Sequence, residues 1–122
     1  MNEIKRKKLE KDIIRTLSLL IVSGKVKDPR VSMVSMHRAE ITDDLSEVKI
    51  FITAYTDNNG RRKLVKGLNS AAPFMTSVLG KNLRLRRTPR LKFIWDNNYV
   101  KAMEVNELID RLAPKTQVED ES

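Results

Sequence analysis

The sequence predicts an α+β fold in a single domain, and three observations predict it. Apolar residues recur at helical spacing between Glu3 and Ser23 and again from Leu64 onward. Val48, Ile50, Ile52 and Ala54, by contrast, alternate with Lys49, Phe51, Thr53 and Tyr55 at the two-residue period of a strand. The chain has 122 residues, 40% of them hydrophobic, which suits one domain with a core of its own. No internal repeat divides it.

The first element is an amphipathic helix. Leu9, Ile13, Leu17, Leu20 and Ile21 form its apolar stripe and Lys5, Arg6, Lys7, Lys8 and Lys11 its basic one. Gly24 supplies a C-terminal stop, and Asp28-Pro29 forbids continuation because proline drives its predecessor out of the α region. A strand is expected over residues 31–42. Val34 and Met36 share one parity and Ala39 and Ile41 the other, so a bulge is expected near His37-Arg38. Asp43-Asp44 turns the chain into the second strand, the alternating run above. Asp57-Asn58-Asn59-Gly60 reads as a loop of turn formers. Behind it Leu64, Leu68, Ala71 or Ala72, Met75, Val78 and Leu79 keep helical spacing to about Leu83. Pro73 interrupts that pattern, which favours two short helices meeting at Ala71-Ala72-Pro73 over one long one. Leu83 to Arg87 reads as an extended run leading through Thr88-Pro89 into a third strand, in which Leu91, Phe93 and Trp95 alternate with Lys92 and Ile94. Val100, Met103, Leu108, Ile109 and Leu112 suit a last helix, stopped by Pro114. The expected domain is residues 1–113, and residues 114–122 form an acidic tail expected to be disordered.

Composition narrows the function. The chain carries 24 Lys and Arg against 16 Asp and Glu, a net charge of +8, and its acids gather late: Glu104, Glu107, Asp110, Glu119, Asp120 and Glu121 face only Arg111 and Lys115. The rest of the chain is therefore more basic than the total suggests, which suits a polyanionic partner such as nucleic acid. Cysteine is absent, so disulfides, thiolate metal sites and Cys nucleophiles are excluded, and the cytoplasm is the expected compartment. The longest apolar stretch, Leu17 to Val22, falls far short of the about 20 residues that span a bilayer, so no membrane association is expected. His37 is the only histidine and has neither a triad partner nor a second imidazole for zinc. Asp43-Asp44 and Glu119-Asp120-Glu121 read as a solvated turn and tail, not acid–base pairs. Glycines at 24, 60, 67 and 80 allow neither GxGxxG nor a P-loop. No enzyme, cofactor or metal site is expected.

The informative stretch runs from Lys81 to Lys92, where Lys81, Arg84, Arg86, Arg87, Arg90 and Lys92 make six of twelve residues basic and leucines alternate with arginines. Burying the leucines holds planar guanidinium forks outward, where each can grip phosphate oxygens. Arg6, Lys7 and Lys8 on the first helix form a second cluster, read either as further RNA contacts or as a solvated basic helix face. Phe51, Tyr55 and Ile94 fall opposite the main core set. They either stack bases or form a small second contact surface under the C-terminal helix, and the scarcity of aromatics favours the second. The helices around Ala71, Ala72 and Pro73 either present a phosphate-binding helix N-terminus or merely bend.

Helix, strand, strand, helix, helix, strand is the order of the type II KH domain, an RNA-binding fold whose helices meet at a GxxG loop that this chain lacks. Lys27-Asp28-Pro29-Arg30, Asp44-Leu45-Ser46, Ala71-Ala72 before Phe74-Met75, and Leu83-Arg84-Leu85-Arg86 with Pro89, Leu91, Phe93 and Asp96 together resemble the bacterial ribosome-binding factor A family. The resemblance spans roughly residues 3–112. It implies a KH-like domain with an Ala-centred helix kink at Ala71, Ala72 and Pro73 in place of GxxG, RNA contacts through Arg84 and Arg86, and a cytoplasmic, monomeric, non-enzymatic assembly factor. Such a factor binds the immature small ribosomal subunit and helps its 16S rRNA precursor mature, and is often important in the cold. Three positions depart from the family's pattern: Pro73 replaces a usual Gly, Thr76 a usual Arg, and Arg90 a usual Glu. A structural ribosomal protein or a general RNA- or DNA-binding module is the alternative.

Overall fold

The structure, a computed structural model, describes residues 2–26 and 34–99. Helix α1 spans Glu3–Val22, strands β1 and β2 span Ser35–Ile41 and Glu47–Thr53, helix α2 spans Asn58–Leu83, and strand β3 spans Arg90–Trp95. Asn2 caps α1 by accepting from the Lys5 N–H at 2.8 Å, and Gly24 leaves the helix at φ +75°, a conformation that costs glycine little. Ile13, Leu17 and Leu20 turn inward, as the apolar stripe requires.

The sheet runs β1-β2-β3, antiparallel between β1 and β2 and parallel between β2 and β3. The β1–β2 register slips between Met36 and Arg38, which puts the expected bulge at His37. Strand β2 is central: Val48, Ile50 and Ile52 are fully buried, while the intervening residues are half-buried on the other face. Helix α1 packs on β1, α2 packs on β3, and the helices meet, so Ile13, Leu17, Leu68, Met75, Leu79 and Phe93 close one core with the strands. The sheet's two outer edges are each met by a helical side chain. On β1 the Ile41 N–H donates to the Glu10 carboxylate at 2.9 Å. On β3 the Phe93 N–H donates to Asn69 Oδ1 at 3.0 Å, and Asn69 Nδ2 donates to the Phe93 carbonyl at 3.3 Å.

Three expectations are corrected. The helix pair is one helix, since α2 continues without a break through Ala71, Ala72 and Pro73. Leu64, Leu68, Ala72, Met75 and Leu79 are buried on both sides of the proline, and that burial outweighs a cost of about 3 kcal/mol for proline in a helix interior. Pro73 itself faces solvent. The turn formers Asp57 to Gly60 are the start of α2, with Asp57 accepting from the Gly60 N–H at 2.7 Å as N-cap. Residues 84–89 are a loop, not an extended lead into β3: Arg84 ends the helix in the left-handed region at φ 50°, ψ 44°. The order is thus helix, strand, strand, helix, strand, with a single helix where two were expected. Residues 97–99 are helical, whereas Asp28-Pro29, the expected start of the first strand, the rest of the C-terminal helix and the acidic tail lie outside the described residues.

Candidate nucleic-acid interface

The arginines of the basic run hang from a folded loop. The Arg84 and Leu85 N–H groups both return to the Gly80 carbonyl, the latter at 3.3 Å. Thr88 closes against the bare face of Gly80, where a Cβ would lie 2.4 Å from the threonine Oγ1. Leu83 and Leu85 are half-buried and Pro89 is buried, while Arg84, Arg86, Arg87 and Arg90 are exposed. The alternation of leucine and arginine therefore does sort inside from outside, on a helix end and loop. Among the described residues no carboxylate pairs with these arginines. Lys81 is exposed in the last turn of α2, and Lys92 points from the outer face of β3 beside Lys49 of β2.

The β1–β2 turn joins the two basic clusters. Arg6 reaches Asp43 at 3.3 Å from one side, and the Arg90 N–H donates to the Ser46 carbonyl at 2.9 Å from the other. Within the turn the Asp44 carboxylate accepts from the Ser46 hydroxyl, the Ser46 N–H and the Thr42 hydroxyl, which holds its pKa down at about 2. Leu45 is left-handed there at φ 61°. Arg6 is mostly buried, and its Nε finds no partner, so it differs from Lys7 and Lys8, which face solvent. Pro73 lies 11 residues before Arg84, the C-cap of α2, about 16 Å along the axis but on nearly the same side. The expected kink and the arginine loop are thus separated along α2 and do not meet at one point.

The outer face of the sheet is occupied. Arg38 lies over the Phe51 ring at 3.9 Å and pairs with Glu40 and, at 3.8 Å, with the buried Asp96. His37 stacks on Tyr99 with centroids 3.8 Å apart and hydrogen-bonds Thr53. Burial lowers its pKa, and the Asp96 charge opposes that shift. Phe51 and Ile94 sit side by side in register, but Tyr55 lies beyond the strand and fully exposed. These three residues form no common stacking surface. The helical turn 97–99, whose Tyr99 N–H donates to Asp96 Oδ1 at 3.0 Å, begins to cover this face. Asn69 and Lys49 escaped the sequence reading: an amide on a helix carries no periodic signal, and Lys49 gains its neighbour only through strand pairing.

A model of the ribosome-binding factor A family matches residues 5–109. The chain belongs to that family. Ribosome-binding factor A from two strains of Leptospira biflexa is 54% identical over 120 residues, covering 98% of this chain and 80% of theirs. A Thermotoga maritima protein assigned to ribosome-binding factor A, solved in solution, is 29% identical with a TM-score of 0.65, covering 77% of this chain and 90% of that one. A homology model of the Thermus thermophilus ribosome-binding factor A, fitted into a cryo-EM map of its complex with the 30S subunit, is 25% identical with a TM-score of 0.58 and coverages of 72% and 91%. Among the described residues no helix of this family member is long and apolar enough to cross a membrane.

Proposed function

We propose that this protein is a small-subunit assembly factor: it binds the immature 30S particle through 16S rRNA and promotes maturation of the rRNA precursor without catalysing a reaction. The observation that carries this reading is the set of four exposed arginines, Arg84, Arg86, Arg87 and Arg90, held on a folded loop in a chain of the ribosome-binding factor A family. A related protein from Thermus thermophilus has been fitted on the 30S subunit. Guanidinium groups at fixed spacing grip phosphates with little further loss of conformational freedom, and counterion release supplies the affinity. Lys81, Lys92, Lys7 and Lys8 extend the contact, and Ala71, Ala72 and Pro73 lie along the same helix. Arg6, paired with the exposed Asp43 of the β1–β2 turn, adds to the same cationic surface. A non-catalytic role fits the commitments of the candidate groups, because His37 is engaged with Thr53 and Tyr99, and Asp44 with its own turn.

The test is a sucrose gradient of a cell extract holding a tagged copy. The protein is expected on free small subunits in less than one copy per particle and absent from polysomes, in the cytoplasmic fraction. One copy per small subunit throughout the polysomes would make it a structural ribosomal protein instead.

A further inference from the structure

A groove of about 430 Å³ opens between the first turns of α2 and the last residues of β3, at the opposite end of that strand from Arg90. Arg61, Arg62 and Lys66 line its helical wall, and Ile94, Trp95 and Asn97 its strand wall. None of the described residues lining it is acidic. The Trp95 ring is half-buried against the core margin, which fixes its plane. The guanidinium carbon of Arg61 lies over the ring at 5.5 Å from its centroid, a looser contact than the 3.9 Å of Arg38 over Phe51 and one that a stacking base would displace. The backbone of Trp95 faces the same side. Arg90 and Asp96 donate toward the β2 chain and Phe93 turns outward to Asn69, so Trp95, of the same parity as Phe93, turns its N–H and C=O away from β2.

We propose that this groove holds one nucleotide of single-stranded RNA, its base stacked on Trp95 and its phosphates on Arg62 and Lys66. The inference rests on the RNA-binding reading but names a separate site. An aromatic face of fixed plane, a cationic rim and main-chain groups that reach a base edge are the elements with which proteins take unpaired bases. Charge decides the class of occupant, because three cations and no carboxylate favour a phosphate chain over an apolar or acidic-and-apolar peptide. Arg62 and Lys66 also fall on the same side of α2 as Pro73 and Arg84, so a strand leaving the arginine loop can follow that helix to Trp95. Asn69 closes the middle of the β3 edge and leaves the base a place only at its end.

Trp95 is the chain's only tryptophan, so the emission of the full-length protein reports on the groove. Titration with an unstructured ten-nucleotide RNA is expected to quench that emission saturably, while a duplex of the same composition leaves it unchanged. Arg62→Gln with Lys66→Gln should flatten the log–log salt slope by about 1.4, at about 0.7 per single-strand contact. Trp95→Leu, followed by anisotropy of a labelled decamer, should weaken binding roughly five- to a hundredfold. Because Trp95→Leu also touches the core margin, the surface pair Arg62 and Lys66 is the decisive variant. Binding of the decamer with unchanged emission, and with an unaltered slope in that pair, overturns the groove and leaves RNA binding elsewhere intact. Equal quenching by a mononucleotide makes it a free-nucleotide pocket, and quenching by RNA-free small-subunit proteins makes it a protein site; either result overturns the proposal. Failure of the functional reading shows separately, as absence from free small subunits in the gradient.

Discussion

Asn69 supplies β3 with the two partners that a further strand would otherwise provide, and it does so from a helix 24 positions away in sequence. Its removal leaves the Phe93 N–H and carbonyl half-buried without either partner. Asn69→Ala is therefore expected to cost about 1–3 kcal/mol in urea or thermal unfolding, more than the usual half a kcal/mol of a surface change. Titrating residues set the acid limits of the fold. His37 binds protons less readily folded than unfolded, because burial lowers its pKa below the ordinary 6.5. The unfolded chain thus takes up more protons once pH falls below about 6.5, and stability is full above that value and declines toward the folded pKa. Asp44 adds a second step, present above 3.8 and lost as pH falls toward about 2. Urea midpoints measured from pH 8 to pH 5 should fall on the acid side, and His37→Gln should flatten that fall.

At the scale of elements the decisive case is α2. Its proline was legible and its consequence was misread, because the local rule against proline in helices was weighed without the burial on either side. The corrective evidence stands in the sequence too: Leu64, Leu68, Ala72, Met75 and Leu79 keep one helical phase through Pro73, whereas two independent helices would have slipped phase at the junction. Since proline leaves the Asn69 carbonyl without its helical N–H donor, Pro73→Ala should stabilise the protein by about 1–3 kcal/mol, read as a raised thermal midpoint. No gain, or a loss, would mean that α2 depends on its proline. Strand β2 was legible from Val48 to Thr53 because one buried face and one half-buried face impose period two there, whereas Ala54 and Tyr55, which keep the alternation, lie beyond its end. The loop 84–89 was not, since leucine and arginine alternate wherever a chain wraps a core edge, and only the left-handed backbone of Arg84 separates a helix end from a strand.

Over the whole molecule, net charge and the arginine run indicate a nucleic-acid partner from the sequence alone, because charge needs no folding to be counted. The convergence of Arg6 and Arg90 on the β1–β2 turn was not legible, as it depends on strand pairing that brings position 46 to position 90. Replacing Arg84, Arg86, Arg87 and Arg90 together by glutamine should flatten the salt dependence of binding to small-subunit RNA by roughly 0.7–0.9 per contact, about 3 in total, with the circular dichroism unchanged. An unaltered slope would remove the loop from the interface. The Glu10 and Asn69 side chains, finally, bear on how this protein behaves at high concentration. Open sheet edges are templates on which like chains add strand to strand. A carboxylate on Ile41 and an amide on Phe93 occupy backbone groups that such a chain would need on each flank. The three-stranded sheet is thereby protected against edge-to-edge aggregation, and losing either side chain would open a route to fibrous assembly.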